Sequence, residues 1–400
     1  MRSPNARPGK VKALKILLYT HTFFPKVGGV EDLAHSLATG WTDLGHQVTV
    51  VTPIAAERER YATYRIVREP SIANLFELVR CNDIIHANGT SIRLYPLATL
   101  LGKPFTWAHH GYQLSCIDGA GWFAGQPAPI RPWASFVHHS KKAGFLKAAV
   151  GGLKLLLRRV IAHLVSANIA TSKHIAFRQP LPRQRIIYNP IDKHLFASRS
   201  LAEAKQNFNN ASVTFTFAGR LISEKGVEDL LYAFADVCKQ EEDATGGCGF
   251  TLKIIGDGPE RSHLKSVVKE LNLDSRVIWA TASGTEFKDL LDRAGICVIP
   301  SAWEEPGALI VLELLAMGKP LIVSQFGWLS ECAADACLTF PNRDRVLLTK
   351  AMHRLQSDPD LQVSLIEKAL ERSKHFDSLT SLRSYLKLFS ELLKIRPDLS

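Results

Sequence analysis

Glu305 and Glu313 stand eight positions apart in the run Glu305-Pro306-Gly307-Ala308-Leu309-Ile310-Val311-Leu312-Glu313. The first carboxylate precedes a Pro-Gly corner, where backbone amides are free to face a ligand. The second falls about two helical turns later, in a stretch that otherwise reads as buried. An ionised glutamate there is costly unless it is hydrogen-bonded. A hydroxyl-rich ligand, a sugar or a ribose, would satisfy both acids. Upstream, Gly219-Arg220-Leu221-Ile222-Ser223-Glu224-Lys225-Gly226 follows an expected strand and precedes a helix. Two cations beside free helix amides make a diphosphate site, with a solvent-facing basic turn as the alternative. Pro25-Lys26-Val27-Gly28-Gly29-Val30-Glu31 holds the same place near the start of the chain. Gly28 and Gly29 would admit a ligand close to the backbone, or simply form a tight turn. The run lacks the G-x-G-x-x-G spacing, so a nicotinamide cofactor gains no support. His109-His110-Gly111 also closes an expected strand. A histidine there hydrogen-bonds a substrate hydroxyl, supports a developing positive charge, or is structural. Gly256-Asp257-Gly258-Pro259-Glu260 reads as a structural turn.

These runs need strand ends to carry them. The spacing predicts a strand over Lys15 to Tyr19, a helix from Val30 to Leu44 stopped by Gly45, and a strand over Gln47 to Val51. Short apolar runs at Asp83–Ala87, Phe105–Ala108 and Ala167–Ala170 continue the alternation. After Ile187-Tyr188-Asn189-Pro190-Ile191-Asp192, a plausible hinge, the pattern restarts. Strands are expected at Thr214–Ala218, Thr251–Ile255, Val277–Trp279, Cys297–Ile299 and Leu321–Val323, with helices between them. The reading is α/β: two doubly wound, Rossmann-like domains, residues 1–192 and 193–376, and a helical segment 377–400 that packs back on the first. Such a pair of domains places its best cleft between them, at the carboxyl ends of their strands. The cationic and acidic pairs are expected to face each other across it.

Four hundred residues suit two cores rather than one. Seven cysteines without a C-x-x-C pair indicate neither zinc nor a disulfide framework, and read as reduced thiols of a cytosolic chain. The apolar run after the basic start is too short for a signal peptide or a spanning helix. The formal charge of +11 is one-sided: Gly119 to Ile191 holds 11 Lys and Arg and no Asp or Glu, and the remainder is close to neutral. Such a block attracts phosphate, of nucleic acid or of an anionic bilayer. No aromatic-interleaved or helix-turn-helix pattern accompanies it, so nucleic acid is not expected as a partner. Lys141 to Val165 reads as an amphipathic helix. Lys147, Lys154 and Arg158 lie on one side, with Ala149, Leu153, Leu156, Val160 and Leu164 on the other. It either lies in a membrane interface or docks on the sheet by its apolar side. Gly151 and Gly152 are expected to weaken it.

From Lys15 to about Phe376 the chain resembles retaining glycosyltransferases of the GT-B fold, in the large family 4 whose hallmark is Glu-x7-Glu. The ordered set carries the likeness: Phe24-Pro25 with Gly28-Gly29-Val30-Glu31, Asp83-Ile84-Ile85-His86, His110-Gly111, Asn189-Pro190-Ile191-Asp192, Gly219-Arg220 with Lys225-Gly226, Gly256-Asp257-Gly258-Pro259, Pro300-Ser301, and Glu305-Pro306 with Glu313. The resemblance implies a nucleotide-diphosphate sugar as co-substrate and a glycan or lipid-linked acceptor. Arg220 and Lys225 would neutralise the leaving diphosphate, so neither a metal nor another cofactor is expected. Glu305 would orient the donor sugar and Glu313 would grip the ribose. Gly219 and the amides around Gly307, Ala308 and Leu309 would border sugar or phosphate. Gly28 and Gly29 would close over the diphosphate, and His110 would contact the transferred sugar. Alanine at Glu305 or Lys225 is expected to abolish transfer with the fold intact. The enzyme would be cytoplasmic and peripheral on an anionic membrane surface, met through Lys141 to Arg159. The sequence departs from the family where Gly307-Ala308 replaces Phe-Gly, where Gly327-Trp328 precedes Glu331, and in the extra acid Glu304. Two rivals stay open: a nucleotide-sugar epimerase or hydrolase on the same scaffold, and a non-catalytic subunit that docks on membranes.

Overall fold

The computed structural model describes residues 13–395 apart from 27, 57–61, 192–195, 197 and 198. Its strands, in chain order, are β1 (Lys15–Thr20), β2 (Gln47–Thr52), β3 (Arg65–Arg68), β4 (Ile84–Asn88), β5 (Phe105–His109), a small hairpin of β6 (Trp122–Phe123) and β7 (Gln126–Pro127), then β8 (Ala167–Ala170) and β9 (Gln184–Ile186). The second set is β10 (Val213–Ala218), β11 (Leu252–Ile255), β12 (Val277–Ala280), β13 (Ala294–Ile299), β14 (Leu321–Ser324) and β15 (Cys337–Phe340). They form a seven-stranded sheet in the order β3-β2-β1-β4-β5-β8-β9 and a six-stranded one in the order β12-β11-β10-β13-β14-β15. Every pairing in both is parallel. Helices cover both faces, which is why central strands such as β4 and β5 are buried from end to end.

In each sheet the strand order reverses beside the first strand, between β1 and β4 and between β10 and β13. A crevice opens there at the carboxyl ends, where neighbouring loops diverge to opposite faces. The loops after β1, β4, β5, β10 and β13 therefore hold the chain's candidate chemistry. The expected strands are all present. Sequence periodicity missed β3, β9 and β15, which are the short outer strands and expose charged or polar side chains. Edge strands carry such residues because water meets their free side.

The last helix, Ser378–Leu393, returns to the first sheet and sets Tyr385 and Phe389 against Trp41 and His86, with ring centroids 5.2–5.8 Å apart. Burial, helped by the neighbouring His110, pushes the His86 imidazole down to about 3. The Asn189-Pro190 segment is described, but Asp192 of the same motif lies outside the described residues.

The helix Phe145–Leu164 is continuous through Gly151 and Gly152. A methyl on Gly151 would come within 2.5 Å of Ile117, and one on Gly152 within 3.3 Å of the Phe136 ring. The glycines thus allow close docking. The docked face is made of Ala148, Leu155, Ile161 and Ala162. The larger apolar residues Leu153, Leu156, Val160 and Leu164 face outward.

Candidate functional site

Glu305 ends a loop that leaves β13 at Pro300. This loop bends at Ala302 and Trp303, which brings the Ser301 and Trp303 side chains to the Glu305 carboxylate. The Glu305 carboxylate, 3% exposed, accepts hydrogen bonds at Oε2 from Lys225 Nζ (2.6 Å), Trp303 Nε1 (3.0 Å) and Ser301 Oγ (3.1 Å). Its backbone is pinned by a bridge to Gly327 and by the Trp328 amide, 2.7 Å from the Glu305 carbonyl. Gly327 has φ 108°, and a Cβ on it would lie 2.5 Å from the Glu305 nitrogen. Only glycine fits this approach without moving the Glu305 backbone.

Lys225 reaches Glu305 because its loop, Gly219 to Gly226, leaves β10, and β10 pairs with β13. Gly219 follows β10, its amide bonded to the Ile255 carbonyl at 3.0 Å. The Leu221 amide donates to the Asp257 carbonyl (2.9 Å), and the Glu260 amide to the Leu221 carbonyl (3.0 Å). The Gly256–Glu260 turn is therefore a brace for the cationic loop, as its sequence suggested. Arg220 is exposed and pairs with no acid among the described residues. The two pairs do not face each other across the gap between domains. All four residues belong to the second sheet's loops and helix, and Lys225 contacts Glu305 directly.

Gly307 is open: a Cβ there would meet nothing within 4 Å. Ala308 caps the helix Leu309–Ala316 with φ −120°, ψ 107°, a backbone conformation any residue adopts. Its difference from glycine therefore introduces no strain. Glu313 lies half-buried one turn beyond Leu309. From the first domain, Gly28 caps the helix Gly29–Asp43, and a Cβ on Gly29 would sit 3.5 Å from Leu309 Cδ1. The first glycine loop thus abuts the beginning of the helix that carries Glu313.

His110 follows β5, its Nε2 2.6 Å from Asn88 Oδ1. Asn88 Nδ2 donates to the Val30 carbonyl (3.4 Å), which turns its oxygen toward the ring. His110 therefore carries its hydrogen on Nε2 and leaves Nδ1 as an acceptor. Burial, then the neighbouring His109 and His21, push it down to about 3. It is neutral near pH 7, a form that can hydrogen-bond a hydroxyl or turn a ring-nitrogen lone pair toward a developing positive charge. His109 is likewise pushed down to about 4 by burial, against a hydrogen bond to Asn168. His86, His109 and His110 bind protons in the unfolded chain before they do so in the folded one. Stability is therefore full above about pH 6.5 and is lost as the pH falls toward 4, by up to about 1.4 kcal/mol per pH unit for each ring. Urea unfolding between pH 7 and pH 5 will show this slope; a flat profile would contradict the burial.

Sequence reasoning missed the acids that join the domains. Glu304 is held by the Arg178 guanidinium in a two-point contact, by His174 Nε2 (3.2 Å), and through its backbone carbonyl by Tyr112 Oη (2.8 Å). Burial alone would raise its carboxyl; the His174 and Arg178 hydrogen bonds outweigh this and hold it at about 2. Glu331 accepts from the amides of Lys173 (2.8 Å) and His174 (2.7 Å) and from Tyr188 Oη (2.7 Å). It thereby caps a helix of the other domain. The only sequence signal was an acid beside Glu305 and another after Gly327-Trp328. Glu304→Ala is expected to lower the melting temperature by a few degrees at pH 7, since it strands Arg178 and His174. Because the folded carboxyl is depressed, its contribution is present above about pH 4.3 and fades as pH falls toward 2. The gap between wild type and variant must shrink in that window; a constant gap would argue against the ion pair.

No three His, Cys, Asp or Glu side chains cluster as metal ligands among the described residues. Residues 198–372 match the family model of glycosyl transferases group 1. An uncharacterized glycosyltransferase of Methanocaldococcus jannaschii is 24% identical over 80% of this chain and 82% of its own length. The alpha-monoglucosyldiacylglycerol synthase of Streptococcus pneumoniae is 24% identical over 90% of this chain and 82% of its own. Among solved structures, Anabaena HepE, crystallised with UDP and glucose, superposes with a TM-score of 0.70 at 17% identity, covering 94% of this chain and 99% of that one. The chain thus has the GT-B fold, and its residues 198–372 are matched by the glycosyl transferases group 1 family.

Proposed function

We propose that the protein is a retaining glycosyltransferase. It moves a sugar from a nucleotide-diphosphate sugar to a glycan or lipid-linked acceptor in surface polysaccharide or glycolipid synthesis. The observation that carries this is the Lys225–Glu305 contact, set at the switch point of the second sheet, with Gly29 of the first domain against Leu309 in the helix that follows. As the glycosidic bond breaks, negative charge grows on the diphosphate, and Lys225 and Arg220 neutralise it there. Glu305, fixed by Ser301 and Trp303, keeps Lys225 aimed and orients the donor sugar. The open backbone at Gly307 and the first amides of the helix beginning at Leu309 receive sugar or phosphate oxygens. Glu313 takes the ribose hydroxyls, and neutral His110 accepts a sugar hydroxyl at Nδ1. Gly28 and Gly29 let the first domain close over the diphosphate, excluding water. Transfer on one face of the sugar, the leaving phosphate taking the acceptor's proton, needs no protein nucleophile.

Relatives support the donor and acceptor classes: one solved neighbour holds UDP and glucose, and one relative is named for making a glucosyl diacylglycerol. Seven free cysteines suit a reducing, cytoplasmic setting. A panel of nucleotide sugars tested by thermal shift identifies the donor, since a tight ligand raises melting by mass action. Proton NMR of the product then reads its anomeric configuration. Failure of every nucleotide sugar to stabilise the protein, or an inverted product, would sink the reading. With two cations serving the diphosphate, transfer is expected to run at the same rate in excess EDTA; a loss restored by added magnesium would contradict it.

A further inference from the structure

Beside the end of β4, where Asn88 meets His110, an open cavity of about 440 Å³ is lined by Thr90, Ser91, Ile92, Arg93, Lys154, Leu157 and Arg158. Its chemistry divides into two hydroxyl residues, three cations and two apolar side chains. Among the described residues no carboxylate pairs with Arg93, Lys154 or Arg158. No acid exists between Gly119 and Ile191 to supply one from that stretch. Three uncompensated cations around one concavity attract a compact anion, and guanidinium groups match phosphate oxygens in pairs. The volume falls in the range of small-molecule sites, enough for a phosphate bearing a further polar group.

One wall of the cavity is the helix Phe145–Leu164. Along it Leu146, Val150, Leu153, Leu157, Val160 and Leu164 recur at alternating spacings of four and three, which puts them on one stripe. The stripe is open to solvent: Leu146 is 77% exposed, Leu153 68% and Leu157 54%. Trp133 (75%) and Phe145 (69%) stand exposed close by, linked through the Phe136 ring. Lys147, Lys154 and Arg158 run beside the stripe, so one helix offers an apolar face and a cationic flank at the same level. No helix among the described residues is long and apolar enough to cross a membrane. An apolar stripe with a cationic border and aromatic residues at one end fits the interface of an anionic bilayer.

We propose that this cavity binds the phosphate-bearing head of a lipid acceptor, Arg93, Lys154 and Arg158 gripping the phosphate while the leucine stripe lies among the acyl chains. The placement joins membrane to chemistry. Thr90 is two residues from Asn88, which holds His110, so a head group anchored here extends toward the donor sugar. The proposal rests on the transferase reading and narrows its acceptor to a phospholipid or lipid phosphate.

The test uses the full chain and vesicle flotation. Phosphatidylcholine vesicles carrying phosphatidic acid are compared with vesicles carrying phosphatidylserine at equal surface charge. Diffuse attraction responds to charge alone, whereas a phosphate cavity favours phosphatidic acid, by roughly tenfold for one additional charge-assisted hydrogen bond to its phosphate. R93Q/R158Q is expected to lose that preference while still binding both vesicles weakly. L153S/L157S is expected to lose binding to both. Equal binding of the wild type to both lipids, or a preference that survives R93Q/R158Q, overturns the proposal. So does tight binding of inorganic phosphate in solution with no gain on vesicles. The donor site is read separately: R93Q/R158Q should keep the wild-type melting shift with nucleotide sugar. A wild type that prefers phosphatidic acid yet responds to no nucleotide sugar would sink the transferase reading and leave the lipid site standing.

Discussion

Lys225→Ala is expected to lower the turnover of sugar transfer by about 10²–10³-fold, the cost of removing one preorganised charge-stabilising donor. Its ammonium would meet charge that grows only as the bond to the diphosphate breaks, so kcat should fall much more than KM rises. The variant also loses stability. Lys225 leaves behind the Glu305 carboxylate, 3% exposed and now held by Ser301 and Trp303 alone. Breaking a buried pair from one side costs about 3–5 kcal/mol, and rather less here because Lys225 keeps some contact with water. The sequence alone led to the expectation of an intact, unperturbed fold, and the direct ion pair revises it. Glu305→Ala lowers turnover in the same way by freeing Lys225 and losing the group that orients the sugar. The double variant separates the two effects: stability should recover part of the loss, because no lone charge is left, while activity should not. Stopped-time transfer assays with urea unfolding of all three variants measure both. A fully active Lys225→Ala enzyme would falsify the assignment of this loop.

The second large effect is expected from Gly226→Ala, a single methyl one residue from Lys225. Gly226 has φ 66°, and a Cβ there would lie 2.1 Å from the Pro300 carbonyl oxygen. The obstacle is backbone, so no rotamer change relieves it. The left-handed conformation adds its own strain for alanine, and together these cost roughly 3–5 kcal/mol. To escape the clash, residues 223–226 must move away from residues 300–302, breaking the bond between the Ala302 amide and the Glu224 carbonyl, now 2.8 Å. Lys225 rides on the first segment and Glu305 follows the second by three residues, so the two separate. The melting temperature should fall by roughly 10 °C, with activity lost even at temperatures where the variant remains folded. Gly246→Ala is the control: it also has positive φ, 78°, but nothing lies within 4 Å of its Cβ position. It should melt only slightly early and keep full activity. Equal behaviour of the two variants would show that backbone strain, not the approach to Pro300, governs the effect.

Much of this architecture is written in short-range patterns. Strand and helix periods mark nearly every central element, because parallel strands covered on both sides must be continuously apolar. Glycines and charged residues immediately after those strands mark the loops at their carboxyl ends. That is enough to nominate Lys225, Glu305, Gly29 and His110, each from its own neighbourhood. What the neighbourhoods do not contain is distance. Lys225 and Glu305 are 80 residues apart, and Arg178 and Glu304 are 126 apart. Whether such groups meet depends on which strands pair, here β10 with β13, and on how two domains close. The sequence thus supplied the acids and bases of the site but not their pairing. The long-range packing decided that Lys225 meets Glu305 directly, and that Glu304 and Glu331 tie the domains together.

The helix Phe145–Leu164 draws the same line. Its amphipathic period is determined by residue order alone, since 3.6 residues per turn sorts leucines to one side and lysines beside them. Which side packs inward is not. Ile117 and Phe136 approach through the space left by Gly151 and Gly152, and that contact turns the small residues toward the protein and the leucine stripe toward solvent. Periodicity is a property of the chain, but orientation belongs to the partner surface, and only the folded molecule contains both.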